Sequence, residues 1–302
     1  FALARAVTPR TCLVGLSARL GMTVARSASR SRSPQKIVAL TEGEPKISES
    51  SRAVIERAVE GLELLCKTYN IPESHGAGHA KRVLAHAEQA IEAGPTLKAG
   101  HALAVRLAAL LHDADDRKYF KKNTGDEAYP NAKKLSLEAG ADPTLVDDVL
   151  RMISLVSCSK NGNSVPADVK EQTSWLWPRW ADRLEATGEI GVVRCWQYNC
   201  ETNAPLSCET TPRPQSEAEV WALATEERFA EYQRSGGNSN SMMDHYYDKL
   251  LRVARPDYSS VGNKYLEAEM DKRAAPLVEV CLEFGRTGKV PEDKIREMAA
   301  KF

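Results

Sequence analysis

The sequence predicts an all-α fold, and three observations predict it. Apolar residues recur at three- and four-residue spacings in one segment after another from residue 47 onward. Those segments stop at Asn, Gly or Pro, the residues at which helices end. No stretch of useful length alternates apolar and polar residues as a half-buried strand would, and no internal repeat is visible.

The elements follow in order. "SESSRAVIERAVEGLELLCKTYNIP" places Val54, Ala58, Leu62 and Leu65 on one face and stops at Asn70 and Pro72. "GHAKRVLAHAEQAIEAGP" repeats Val83, Ala87 and Ile91 and stops at Gly94-Pro95. Residues 99–112 are apolar all round, which predicts a central helix. "DEAYPNAKKLSLEAGADP" and "PTLVDDVLRMISLVS" predict two more, separated by Gly140 and Pro143. Helical periodicity continues over 166–186 and 190–198, then fails in the loop-like 199–215. It resumes over 216–234, breaks at "SGGNSNS", and returns over 241–254 and 260–285. The organisation read from this is a body over 47–286 with a loop-rich insertion at 199–240, followed by a C-terminal helix within 287–302.

The chain of 302 residues carries 41 basic and 41 acidic residues, unevenly placed. Residues 1–36 hold six Arg and one Lys without an acid, leaving 34 basic against 41 acidic residues beyond them. An acidic body argues against a broad nucleic-acid-binding face. The Arg-, Ser- and Ala-rich start has the composition of an organellar transit peptide, mitochondrial or plastid, or of a disordered basic tail. Without that signal the chain would be cytoplasmic. No apolar run is long enough for a membrane span. Seven cysteines without a CxxC pair point to free thiols in a reducing compartment, and the irregular Cys195, Cys200, Cys208 cluster is not a zinc pattern.

The central helix ends abruptly in "LLHDADDRKYF", an apolar run delivering a histidine and several charges. His79 shares the apolar face of its own helix, four residues before Val83. Asp182 and Arg183 lie in "WLWPRWADRLEATGEIGVV", a Trp-rich stretch that should be packed. Buried charge is costly unless paired or metal-bound. These residues therefore form either ion pairs with hydrogen-bonded histidines or a divalent-metal site, and a mixed N and O donor set suits Mn, Fe, Co, Ni or Zn better than Ca. His86 lies two turns, about 10 Å, beyond His79 and cannot share such a site. His101, at the start of its helix, reads as a surface or capping residue.

"GHAKRV", "LLHDADDRKYF" and "ADRLEATGEIGVVR", in this order, resemble the HD-domain superfamily of metal-dependent phosphohydrolases. The likeness is to the small soluble group in which HDxxDxK follows the doublet, and "HYYDKLL" at 245–251 is similar to that group's terminal helix. The resemblance spans roughly residues 50–285 and implies an all-α HD-domain helical bundle. It implies one divalent metal ion (Mn, Fe, Co, Ni, Zn or Mg) on His79, His112, Asp113 and Asp182. Asp116 is the implied acid–base residue, one turn from His112 if the helix continues, with Lys118 as its companion. His75, Arg183, His245 and Lys249 are the implied phosphate contacts. His245 and Lys249 would share a face at i, i+4 spacing, unless Lys249 pairs with Asp248 or Glu267 instead. Three departures bear on this. Gly76 stands where the group often has Asp, Trp180 stands where Asp-Ala-Asp is common, and Ser157 and Cys158 occupy the region of a further histidine. The missing histidine favours one metal over two.

The activity implied is hydrolysis of a small nucleotide, most directly a (deoxy)nucleoside triphosphate to monophosphate and pyrophosphate. The alternatives are a nucleoside monophosphatase or phosphodiesterase with the same metal, and a catalytically idle scaffold, as a homo-oligomer or in an organellar assembly. Intact Asp116 and Lys118 favour the enzyme. Of the aromatic residues beside the loop, Trp196 and Tyr198 are candidates for contact with a base.

Overall fold

Helix α3 (Ala99–Leu111) has no polar face, and the rest of the body is wrapped around it. Ala102, Ala104, Val105 and every residue from Leu107 to Leu111 are buried. The computed structural model describes residues 47–72, 75–120 and 128–302, with helices and no strand among them. Around α3 pack α1 (Glu49–Thr68), α2 (Ala77–Ala93), α5 (Pro143–Val156) and α7 (Trp177–Leu184). Each leucine removed from water here contributes about 1.5–3 kcal/mol, so α3 is the axis of the first apolar cluster.

Local chemistry sets the helix ends. Ser48 caps α1 by accepting from the Ser51 amide, and Asp142 caps α5 by accepting from the Thr144 amide. The short α4 (Pro130–Glu138) starts with Pro at its first position, pre-set for helical φ. α6 (Cys158–Asn161) is a single turn ending at Gly162, whose φ is +53°. The stretch read as helical over 166–186 is in fact two 3₁₀ turns followed by the eight residues of α7, on which Trp177 and Trp180 are almost fully buried. Trp180 donates its indole N–H to the Ser260 carbonyl.

A second apolar cluster joins α8 (Gly188–Glu201), α9 (Glu217–Ala222), the helical run 242–254, α13 (Lys264–Thr287) and α14 (Glu292–Ala299). Helix α8 continues to Glu201, so the irregular segment starts later than the periodicity suggested. Residues 216–234 form α9 and α10 (Glu226–Arg234) with a break between them. The irregular segment is held against α13 at Gly285, whose carbonyl accepts from Arg213 and Gln215. A Cβ at Gly285 would lie 1.7 Å from the Pro214 carbonyl oxygen, so only Gly permits this approach. The run 242–254 is α11 (Met242–His245), a π turn (Tyr246–Leu250) and α12 (Leu251–Ala254).

Six cysteines among the described residues are free thiols. No helix of the described residues is long and apolar enough to cross a membrane. The proposed transit segment lies outside the described residues.

At the C-terminal end of α7, the Glu185 side chain is 3% exposed and is met by two arginines and a histidine. Arg82 on α2 reaches it at 2.6 Å, His86 at 3.3 Å and Arg273 on α13 at 3.7 Å. Tyr265 holds the other nitrogen of His86 at 2.7 Å, and Arg273 also donates to the Leu184 carbonyl. Burial alone would raise the Glu185 pKa, but His86 and Arg82 bring it down from 4.5 to about 2. A carboxylate whose pKa is depressed on folding stabilises the fold above its unfolded pKa and loses that contribution as pH falls through the folded one. Glu185→Gln should therefore cost about 3 kcal/mol at pH 7. The difference from the natural chain should shrink steadily between pH 4.5 and 2, the interval set by the two pKa values. Urea midpoints at each pH check this, and a difference independent of pH would refute it.

Candidate metal centre

Three helices bring four side chains to one point. His79 sits in the first turn of α2, His112 and Asp113 follow the last residue of α3, and Asp182 lies in α7. Asp182 Oδ1 is 3.4 Å from His79 Nε2 and 3.4 Å from His112 Nε2. Asp113 Oδ2 is 3.4 Å from His112 Nε2 and 3.8 Å from His79 Nε2. The two imidazoles meet edge to face with centroids 5.2 Å apart. Both rings are buried, whereas the carboxylates keep about 30% of their side-chain surface. The centre is thus closed on the core side and open on one other.

This geometry fits a divalent ion. The separations are too long for good hydrogen bonds. Ligands about 2.1 Å from one ion stand about 3 Å apart at right angles and about 3.4 Å apart at tetrahedral angles. His112 Nδ1 lies 2.9 Å from the Ala109 carbonyl oxygen, which accepts only, so Nδ1 carries the proton. That bond fixes the tautomer and leaves the Nε2 lone pair facing the carboxylates, the arrangement of a metal-ligating histidine. His112 Nε2 has no hydrogen-bond partner among the described residues although it is buried, a deficit that a metal ion would remove. His79 Nδ1 is also buried without a partner among those residues, and its neighbours offer no physical account of it.

Charges follow from the same arrangement. Burial alone would lower the His112 pKa, but Asp113 and Asp182 carry it well above 6.5. Burial lowers that of His79, with Asp182 opposing. Both carboxylates are desolvated, yet His112 foremost and His79 next hold them below the ordinary carboxylate range. Without a cation, one imidazolium would have to balance two carboxylates.

The other sequence candidates divide. Asp116 and Lys118 follow the doublet, but α3 ends at Leu111, so they sit on consecutive turns and not on a continuing helix. Asp116 Oδ1 accepts from the Lys118 backbone amide at 2.9 Å. Burial first, and then Asp113, raises the Asp116 pKa. Lys118 Nζ lies 2.9 Å from His75 Nε2 and 5.3 Å from the centroid of the exposed Tyr198 ring. His75 is lowered to about 4, by burial and then by Lys118. His245 and Lys249 come from the far side, on and beside the π turn. Lys249 is within electrostatic reach of Asp182 and of Lys118. Asp248 is taken by Arg228.

Arg183 is a correction. Its guanidinium is 2% exposed, bonded to the Gly162 carbonyl and to Asn163 Oδ1 and stacked 4.6 Å over Trp180. One position after Asp182 on a helix, it points away from the centre by about a quarter turn, and it closes the 162–164 loop. His101 bonds Ser174 at 2.8 Å, so it is a packing residue. Trp196 donates its indole N–H to Glu292 on α14 at 3.3 Å. The residue that sequence reading passed over is Arg194 on α8. It donates to the Glu185 carbonyl at 2.8 Å, and its charge bears on Asp182, Asp113, His75 and Lys118. The sign available in the sequence was a cation inside "GVVRCW", otherwise an apolar helix segment.

An all-α body brings the His, His-Asp and Asp motifs to one half-open centre, the fold and donor set that the resemblance to the HD-domain superfamily implied. More closely, the chain belongs to one family with an uncharacterized protein of Acanthamoeba polyphaga mimivirus, to which it is 36% identical over 222 residues, covering 70% of this chain and 88% of that protein. No protein-family model matches. Among solved structures, a protein from Lactobacillus plantarum is similar in fold, with TM-score 0.53 and 19% identity over 79% of this chain and 97% of that one. An HD-superfamily hydrolase from Bacillus thuringiensis gives TM-score 0.47 and 18% identity over 78% of this chain and 99% of that one.

Titration calorimetry with Mn²⁺ tests the donor set. The natural chain should bind one ion, and His112→Ala or Asp182→Ala should weaken binding by about 100-fold or more. Unchanged affinity in either variant would dismiss the centre.

Proposed function

We propose that this chain is a metal-dependent phosphohydrolase acting on small nucleotides, with a (deoxy)nucleoside triphosphate cleaved to monophosphate and pyrophosphate. The observation that carries the reading is the pairing of two features. A His/Asp donor set has its His112 tautomer fixed by the Ala109 carbonyl, and cationic side chains from three separate segments stand beside it. His79, His112, Asp113 and Asp182 would hold the metal, which when bound lowers the pKa of water and polarises a phosphoryl oxygen.

The remaining steps belong to the chain's own groups. Asp116, made more basic by burial and by Asp113, accepts the proton of the attacking water. The water oxygen bonds to the α-phosphorus as the bond to the bridging oxygen breaks, and pyrophosphate leaves. Lys118 and Lys249 neutralise the charge that moves onto the leaving group. His75, neutral near pH 7 because its pKa is about 4, is oriented by Lys118 and offers a hydrogen bond rather than a charge. His245, pushed down to about 3 by burial and then by Lys249, is neutral as well. A nucleotide is favoured over a bare phosphate ester because Tyr198, 44% exposed, presents its ring beside Lys118, where a base could stack.

The test is a chain loaded with Mn²⁺ and given deoxynucleoside triphosphates, ribonucleoside triphosphates and monophosphates, with pyrophosphate and phosphate measured separately. Pyrophosphate release that Asp113→Ala abolishes is the expected result. Asp116→Asn should lower kcat by about 100-fold or more while sparing Mn²⁺ binding. Phosphate release alone would replace the reading by a phosphatase. Neither product with any metal would leave the idle scaffold.

A further inference from the structure

The segment between α8 and α11 carries two short helices that the chemistry above does not use, and one of them grips the helix that bears His245 and Lys249. On α10, Arg228 donates through Nε to Asp248 Oδ1 at 2.8 Å and through Nη2 to Asp244 Oδ1 at 3.0 Å. Asp244 is fixed from its other side, where Oδ2 accepts from Ser241 Oγ at 2.6 Å and from Thr211 Oγ1 at 2.8 Å. One turn further along α10, the Tyr232 ring lies 5.4 Å from the His245 ring and 6.0 Å from Lys249 Nζ. Phe229 stacks on Tyr232 from the same helix at 6.0 Å.

The contacts interlock. Arg228 holds residues 244 and 248, and Tyr232 touches the residues that follow each of them, 245 and 249. The first gripped position precedes, and the second lies within, the π turn Tyr246–Leu250, where the backbone widens. Such a turn is an uncommon conformation that surrounding contacts must maintain. In an α-helix, residues four apart lie nearly above one another. The wider turn changes the angle between His245 and Lys249, and with it where the ammonium points. Asp248 has a second consequence: bonded to Arg228, it is not the partner of its neighbour Lys249.

We propose that Arg228 and Tyr232 are positioning residues, which hold the π turn and so aim Lys249 and His245 at the phosphate chain of the substrate. The proposal rests on the phosphohydrolase reading for the role of Lys249 and His245. It adds that the 199–240 segment is part of the working enzyme through α10.

Full-length chain loaded with Mn²⁺ is assayed with deoxynucleoside triphosphates for KM and kcat, and Mn²⁺ affinity is measured alongside. Asp248→Asn is the mild variant, because the Arg228–Asp244 bond survives it and keeps α10 docked. Asp248→Asn and Arg228→Gln should each raise KM about tenfold or more, with a smaller effect on kcat and Mn²⁺ affinity unchanged. The double variant should be no worse than Arg228→Gln alone, since the contact that Asp248→Asn disrupts is already absent there. Tyr232→Leu should match that phenotype and Tyr232→Phe, which keeps the ring, should restore it. KM within twofold of the natural chain in Asp248→Asn and Arg228→Gln would overturn the proposal and leave the phosphohydrolase reading standing. Additive losses accompanied by weaker Mn²⁺ binding would overturn it too, because they report general loosening. A natural chain that binds Mn²⁺ but turns over no substrate would overturn the reading itself, and the proposal with it.

Discussion

Two carboxylates, Asp113 and Asp182, stand against a core of alanine, leucine and tryptophan, and much of the molecule follows from the cost of keeping them there. Buried charge persists only with partners. Here the partners are two imidazoles delivered by α2 and by the end of α3, one of them locked by the Ala109 carbonyl. That lock depends on α3 stopping at Leu111, because His112 is then free to turn its ring back to a carbonyl three residues earlier. The apolar character of α3 thus serves two ends: it forms the axis of the first cluster, and it fixes the point at which the chain leaves the core with its donors in place.

The Glu185 cluster works on the same helices from behind. Arg82 is one turn beyond His79 on α2, and Glu185 is one turn beyond Asp182 at the end of α7. Their 2.6 Å contact therefore sets the spacing of the two helices that carry opposite sides of the centre. Arg273 and Arg194 add α13 and α8 to the same junction through the Leu184 and Glu185 carbonyls. Exposed ion pairs contribute little, but this carboxylate is almost fully enclosed, and losing it would strand several cations at once.

The centre is asymmetric in charge. Acids and imidazoles make up the donor set, and the charges of Lys118 and Lys249 bear on it, with the half-buried His75 and His245 beside them. Lys249 comes from a helical run packed in the second apolar cluster, and Lys118 from the turns after α3.

By itself the sequence determined the helices, because period and stop residues are local properties, and the central place of residues 99–112, because a segment apolar all round has nowhere else to go. It also put forward His79, His112, Asp113 and Asp182 as candidates, since charged groups on apolar faces are conspicuous in one dimension and the motif resemblance singles out the same four. Tertiary structure alone decided where side chains of similar chemistry point. Arg183 and Arg194 are both arginines on packed helices, yet one closes the 162–164 loop and the other brings its charge to bear on Asp182 and Asp113. The pairing of Asp248 with Arg228, the π turn beneath Lys249 and the end of the helix before Asp116 were equally out of reach. Each depends on contacts between residues far apart in the chain, and a periodicity only a few residues long carries no information about them.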